Sequence, residues 1–168
     1  MTTTTSRVPE VIDYLVATAQ AASALTGVLV LDGPQIPAAW QTRKQVLWFG
    51  ADPASLGEAA GESAQDFATA MSQGKLKDEL GSILCAARHW SGDKTSKTHR
   101  DGAAAIVAAV ELMLRSTPDA GGPGDATMGG LVFWSQVGGQ MAWFPKQVTN
   151  GAECLVTFHV TYMARLTT

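Results

Sequence analysis

The residues best suited to chemistry are three histidines and two cysteines. Cys85 and His89 lie four positions apart on a predicted strand, so they share a face but sit ~13 Å apart along it, too far for one small metal ion. His99 is predicted at the exposed start of a helix, and His159 on the polar face of the last strand. Zinc sites need three or four converging ligands, usually with short paired spacings. We therefore expect neither a metal nor a cofactor, and we expect Cys85 and Cys154 to be reduced structural thiols.

Other catalytic patterns do not assemble in this sequence. Ser91 and Ser135 lie outside any Gly-x-Ser-x-Gly elbow, and the glycine-rich run 121–124 has no following Gly-Lys-Ser/Thr. Asp78 and Glu79 are adjacent on a predicted strand, so their carboxylates point to opposite faces and cannot form a general acid–base pair. The sequence predicts a protein that is not an enzyme.

The length, composition and charge of the chain limit the kinds of protein that it can be. It has 168 residues, of which 46% are hydrophobic and 16% charged, with a net charge of −3. This length predicts one domain. The charged fraction lies below the ~25% usual for soluble domains, so either the core is large or other subunits bury part of the surface. No basic stripe dominates, which argues against specific nucleic-acid binding.

An uncharged run from Tyr14 to Leu31 reaches the length of a membrane span. Polar residues such as Gln20 interrupt it, and Glu10 and Asp13 before it have the wrong charge for a signal peptide. We therefore expect a soluble intracellular product with no membrane association.

The apolar pattern predicts the order of the elements. Residues 1–7 are predicted to be a flexible N-terminus and residues 8–168 a single domain. Helical spacing predicts one helix from Val8 to near Gly27 and a second over 95–115. Residues 51–75 are expected to be a long loop with room for a short helical turn around 66–71, and Gly138-Gly139 is expected to be a hairpin turn. Strands are predicted at 28–31, 45–49, 79–90, 131–137, 140–144 and, with clear alternation, from 154 onward.

These elements define an α+β domain with a mixed or antiparallel sheet of five to six strands and two main helices on one sheet face. Several strands are apolar on both faces, and two helices cannot cover both. The uncovered face is therefore predicted to meet another subunit. A β-sandwich that buries both faces internally is the alternative. The predicted contact residues are the aromatics Trp40, Trp48, Trp134, Trp143 and Phe144.

The order of five segments resembles a known family. The sequence has Val-Pro-x-Val-Ile-Asp-Tyr-Leu at 8–15, Val-x-Val-x-Asp-Gly-Pro at 28–34 and Cys-Ala-Ala-x-x-Trp-Ser-Gly-Asp at 85–93. An Ala-rich helix and a closing Phe-His-Val-Thr-Tyr-Met-Ala-Arg strand at 158–165 follow. Over residues 8–166 this order is similar to that of the tail-terminator (tail-completion) proteins of long-tailed, non-contractile phages.

The resemblance implies a structural virion protein at the head–tail junction, assembled in the host cytoplasm. It implies a homo-oligomeric ring, a hexamer in that family, which caps the tail tube, ends its polymerisation and joins the tail to the head connector or stopper protein. Genome DNA would only pass through the lumen, and the net negative charge suits such a channel. The alternatives are another neck protein (a head-completion stopper or a minor tail protein) and a small-molecule binding domain.

Overall fold

The computed structural model describes residues 5–53, 59–67, 76–115 and 124–167. Two helices, α1 (Val8–Ala21) and α2 (Ser96–Leu114), accompany strands β1 (Leu29–Asp32), β2 (Gln45–Phe49), β3 (Gly61–Phe67), β4 (Leu76–Ser91), β5 (Trp134–Val148) and β6 (Gly151–Thr167). Short 3₁₀ turns occupy Ser23–Leu25 and Pro37–Ala39.

The described strands form one mixed sheet. Its order is β1-β2-β4-β6-β5, and β3 pairs with β4 on the edge that β2 also occupies. Only β1 and β2 run parallel to each other; the other pairs are antiparallel. The predicted α+β class, with five to six strands and two helices, is confirmed, and the alternative of two stacked sheets does not occur among these strands.

Helix α1 forms because its apolar side chains recur every three to four residues, which buries Val11, Leu15 and Ala19 against the sheet. Its first turn is held by β4. The buried Glu79 carboxylate accepts the Ser6 hydroxyl at 2.5 Å and the Arg7 N–H at 2.7 Å. The helix ends at Ala21, earlier than the predicted end near Gly27, because the chain there passes into the 3₁₀ turn.

Two predictions about strands were wrong. Residues 61–67 form β3 instead of a loop, because pairing with β4 supplies their backbone partners. Asp66 and Phe67 belong to this strand, and residues 68–71 of the predicted helical turn lie outside the described residues. The expected Gly138-Gly139 hairpin is instead a β-bulge within the continuous strand β5, where the register shifts between Gly138 and Ala142. The chain reverses at Thr149-Asn150.

Both helices pack on the same face of the sheet, and the main core lies between them and that face. Strand β6 shows the arrangement most clearly, since Cys154, Val156, Phe158, Val160 and Tyr162 are all fully buried while the residues between them are partly exposed. On the opposite face no helix lies among the described residues, and we call this face the open face.

Candidate interaction surface

The strand register defines which side chains share the open face. Directly opposed residues on antiparallel strands point to the same side, so Trp134, Met163 and Leu80 form one row across β5, β6 and β4. Farther along the strands, Phe144, Leu155 and Arg88 form another row, continued by Val46 of β2. Large apolar side chains in these rows remain accessible: Leu80 is 54% exposed, Phe144 50% and Trp134 37%.

Between the two rows the open face is concave and polar. A groove of about 530 Å³ lies over the middle of the sheet. His159 and Thr157 of β6 form its floor with Ser82, while Glu62 and Phe144 stand on opposite sides. Along the strand direction, the open face is therefore apolar at one end, polar in the middle and apolar at the other end.

One end of the open face is built around an arginine. Arg88 donates from Nε to Glu153 at 2.8 Å, and its Nη2 lies 2.7 Å from the same carboxylate oxygen. Its guanidinium lies 5.2 Å from the centroid of the Trp40 ring, and Trp40 packs edge-on against Trp48 with centroids 5.2 Å apart. The buried Nη1 of Arg88 has no hydrogen-bond partner among the described residues.

The other end holds a second ion pair. Arg165 donates two hydrogen bonds to Asp78, at 2.8 and 3.1 Å, and these bonds lower the pKa of the Asp78 carboxyl. The Arg165 guanidinium also lies 5.2 Å from the centroid of the exposed Phe133 ring. The neighbouring Glu79 points to the helix face, as the alternation predicted, so the two carboxylates are separated by the sheet.

The predicted contact aromatics fall into three groups. Trp134 and Phe144 lie exposed on the open face, and the half-buried Trp40 borders it. Trp143 is 41% exposed, but its register partner Val156 places it on the helix-bearing face. Trp48 is fully buried beneath Trp40 and offers no side-chain surface to a partner.

The prediction that His99 lies at an exposed helix start was wrong. Its ring is fully buried, with Nδ1 3.1 Å from His89 Nδ1 and Nε2 2.7 Å from the Asp93 carbonyl oxygen. A carbonyl only accepts, so His99 Nε2 carries a proton and its Nδ1 accepts from His89. Burial lowers the pKa of His89, and electrostatic interactions with His99 and Lys44 lower it further.

Gly102 is the sequence feature that could have indicated this contact between His89 and His99. Gly102 is unfavourable inside a helix, yet a Cβ at this position would overlap the His89 ring. The helix therefore approaches β4 closely at this turn, which is what buries His99. The thiols behave as expected of core residues, since burial raises the pKa of both Cys85 and Cys154.

Among the described residues, no three His, Cys, Asp or Glu side chains converge as metal ligands would. Within the same part of the chain, no helix is both long enough and apolar enough to cross a membrane. No protein-family model matches the sequence, and no curated protein matches it. The resemblance in segment order therefore remains a prediction.

Proposed function

We propose that this protein is a structural subunit of a phage neck, a tail terminator that assembles into a ring, caps the tail tube and joins it to the head connector. The observation that supports this most is the open face: the two described helices lie on one side of a six-stranded sheet, and accessible aromatic side chains lie on the other. Such a surface is typical of protein–protein contacts. The order of segments over residues 8–166 supports it independently.

The proposed mechanism is capping. One side of the ring pairs with the last ring of tube subunits, while its other side lacks the surface that recruits a further tube ring and receives the connector instead. Apolar and aromatic side chains at the centre of each contact supply most of the binding free energy. Trp134 and Phe144 are the side chains best exposed for this role on the open face.

Deletion of the gene from its phage tests the proposal. The expected result is tails of uncontrolled length and filled heads without tails, seen by negative-stain electron microscopy, with restoration by the gene in trans. Tails of normal length joined to heads would contradict it. Filled heads that leak DNA, beside tails of normal length, would assign the chain to the stopper position instead.

A small-molecule binding domain is the second candidate, and the groove of about 530 Å³ favours it. The groove has the size of a ligand site, and it brings Glu62, Ser82, Thr157 and His159 together. A compound that binds there would raise the thermal midpoint of the wild type, and Thr157→Trp would abolish that shift by filling the groove.

A further inference from the structure

We infer that the two ends of the open face bind each other between copies of this chain, head to tail, with Glu62 and Asp66 of one copy facing Arg88 and Lys146 of the next. The inference rests on the proposed ring and names the contact that closes it. Its basis is the opposite charge of the two ends.

The acidic end is formed by β3. Register pairs Glu62 with Ser82 and Asp66 with Asp78, which places both β3 carboxylates on the open face, and both are exposed. The nearby Asp78 is already neutralised by Arg165. Glu62 also borders a hollow of about 470 Å³, whose apolar wall is formed by Leu80 and Trp134. This end therefore offers two carboxylates beside an apolar wall.

The basic end lies beyond it along β4. Arg88 is six residues past Ser82, about 20 Å along the strand. Here a hollow of about 460 Å³ is lined by Trp40, Trp90, Arg88 and Lys146, with Glu153 as its acidic residue. Glu153 is paired with Arg88, whereas Lys146 is exposed. The loop that enters β2 adds the exposed Arg43 and Lys44 at the same end.

Arg88 has unused binding capacity at this end. Its Nε and Nη2 engage Glu153, while the buried Nη1 has no hydrogen-bond partner among the described residues. A buried donor without an acceptor is costly and rare in native structures. Because Nη1 has no accessible surface in the single chain, a carboxylate from a neighbouring copy would reach it after the side chains around it move aside on association. Arginine and tryptophan are also the side chains most enriched at the energetic centres of interfaces.

The charge pattern of the open face indicates which partner binds it. Two copies related by a twofold axis through the same end would place like charges together, which is unfavourable. A twofold axis through the middle of the open face would pair opposite ends but would close at two copies, so the proposed ring requires the head-to-tail form. A head-to-tail arrangement places acidic against basic in every contact, and such heterologous contacts close into rings when the rotation allows it. A second copy of this chain is therefore the partner that matches both ends.

Charge reversal in the purified full chain tests the contact. Glu62→Lys alone and Lys146→Glu alone each place like charges together, so each is expected to weaken association about tenfold or more. The double variant exchanges the two signs and is expected to recover most of that loss. The dissociation constant is measured by sedimentation velocity, with circular dichroism verifying that each variant is folded.

Matched controls reverse exposed charges on the other side of the molecule. Asp13→Lys on α1 and Arg100→Glu on α2 make the same changes in net charge and are expected to leave the dissociation constant unchanged. Losses as large in these controls, or no rescue in the double variant, would overturn the inference.

Assembly and capping are separable in this design. A ring that is insensitive to both Glu62→Lys and Lys146→Glu refutes the head-to-tail contact but leaves the tail-terminator proposal intact. A chain that is monomeric at all concentrations, or a closed symmetric dimer, also refutes the contact. The terminator proposal itself fails only in the deletion phenotype, which does not depend on these charges.

Discussion

At the scale of single residues, the contact between His89 and His99 couples the start of α2 to the end of β4. The His89 Nδ1–H donates to His99, whose other nitrogen is already committed to the Asp93 carbonyl. With this tautomer, His89 gains a proton only at Nε2.

This arrangement predicts an acid-sensitive stability. Because the pKa of His89 is lowered in the folded state, the unfolded chain binds more protons below its ordinary value of 6.5. The contribution of His89 is thus fully present above that pH and is lost as the pH falls through the folded pKa. Urea unfolding at pH 7 and pH 5 measures it, and His89→Gln is expected to reduce the loss. The control Thr157→Gln, which introduces the same amide without removing a histidine, should keep the wild-type pH dependence, and an unchanged dependence in His89→Gln would contradict the assignment.

A second prediction concerns Gly81, which lies under the Tyr162 ring. A Cβ at Gly81 would overlap the ring carbons, and Tyr162 is fully buried, so its ring has no free space into which it can move. Gly81→Ala is therefore expected to lower the free energy of unfolding by about 1–3 kcal/mol. In the control Gly138→Ala the nearest atom is 3.5 Å away, so the loss should be much smaller. Chemical denaturation compares the two, and equal losses would show that backbone freedom and not crowding is responsible.

At the scale of elements, strands and helices with a long local pattern could be predicted from the sequence, whereas the pairing between distant segments could not. The alternation of β6 is sufficient to assign its buried face, since seventeen residues of one strand repeat the signal. Strand β3 has few apolar residues and exists because β4 pairs with it, which no local pattern encodes. Gly138-Gly139 is compatible with a hairpin turn and with a bulge. The bulge occurs because β6 extends far enough to pair with residues on both sides of it.

The one-sided burial of β6 leads to a prediction about that strand. Phe158 is fully buried between the helices and the sheet, whereas His159 lies on the floor of the open groove. Phe158→Ala is expected to lower the free energy of unfolding by about 3–5 kcal/mol, because it leaves a cavity. His159→Ala should change it by no more than about 0.5 kcal/mol. Thermal and urea unfolding of the two variants provides the measurement, and comparable losses would mean that both faces of β6 support the fold equally.

At the scale of the whole molecule, the sequence predicted a sheet covered by helices on one side. Several strands are apolar on both faces, and two helices can cover only one of those faces. The structure confirms the helices on a single face and identifies where the accessible aromatics lie. Packing between distant segments decides which of the predicted aromatic side chains remain accessible. Trp48, for example, is buried because the loop after β1 places Trp40 over it. The charge difference between the ends of the open face likewise depends on the register of β3, which the sequence pattern does not reveal.

If the open face mediates assembly, substitution of its aromatic side chains should weaken association while the subunit stays folded. Trp134→Ser and Phe144→Ser remove aromatic side chains that are 37% and 50% exposed, so the free energy of unfolding of the isolated subunit should fall by about 1–3 kcal/mol, which leaves it folded. If this face makes the ring and tube contacts, each substitution should weaken association by about 2 kcal/mol.

Leu112→Ser is the matched control for this prediction, because Leu112 is 51% exposed on α2, on the covered side of the sheet. It should leave association and capping intact. Sedimentation velocity measures assembly, and electron microscopy of tubes grown with each variant measures capping as tube length. If Leu112→Ser lengthens the tubes as much as Trp134→Ser does, the helix side of the molecule contributes to the contact, and the open face is not the surface that ends the tube.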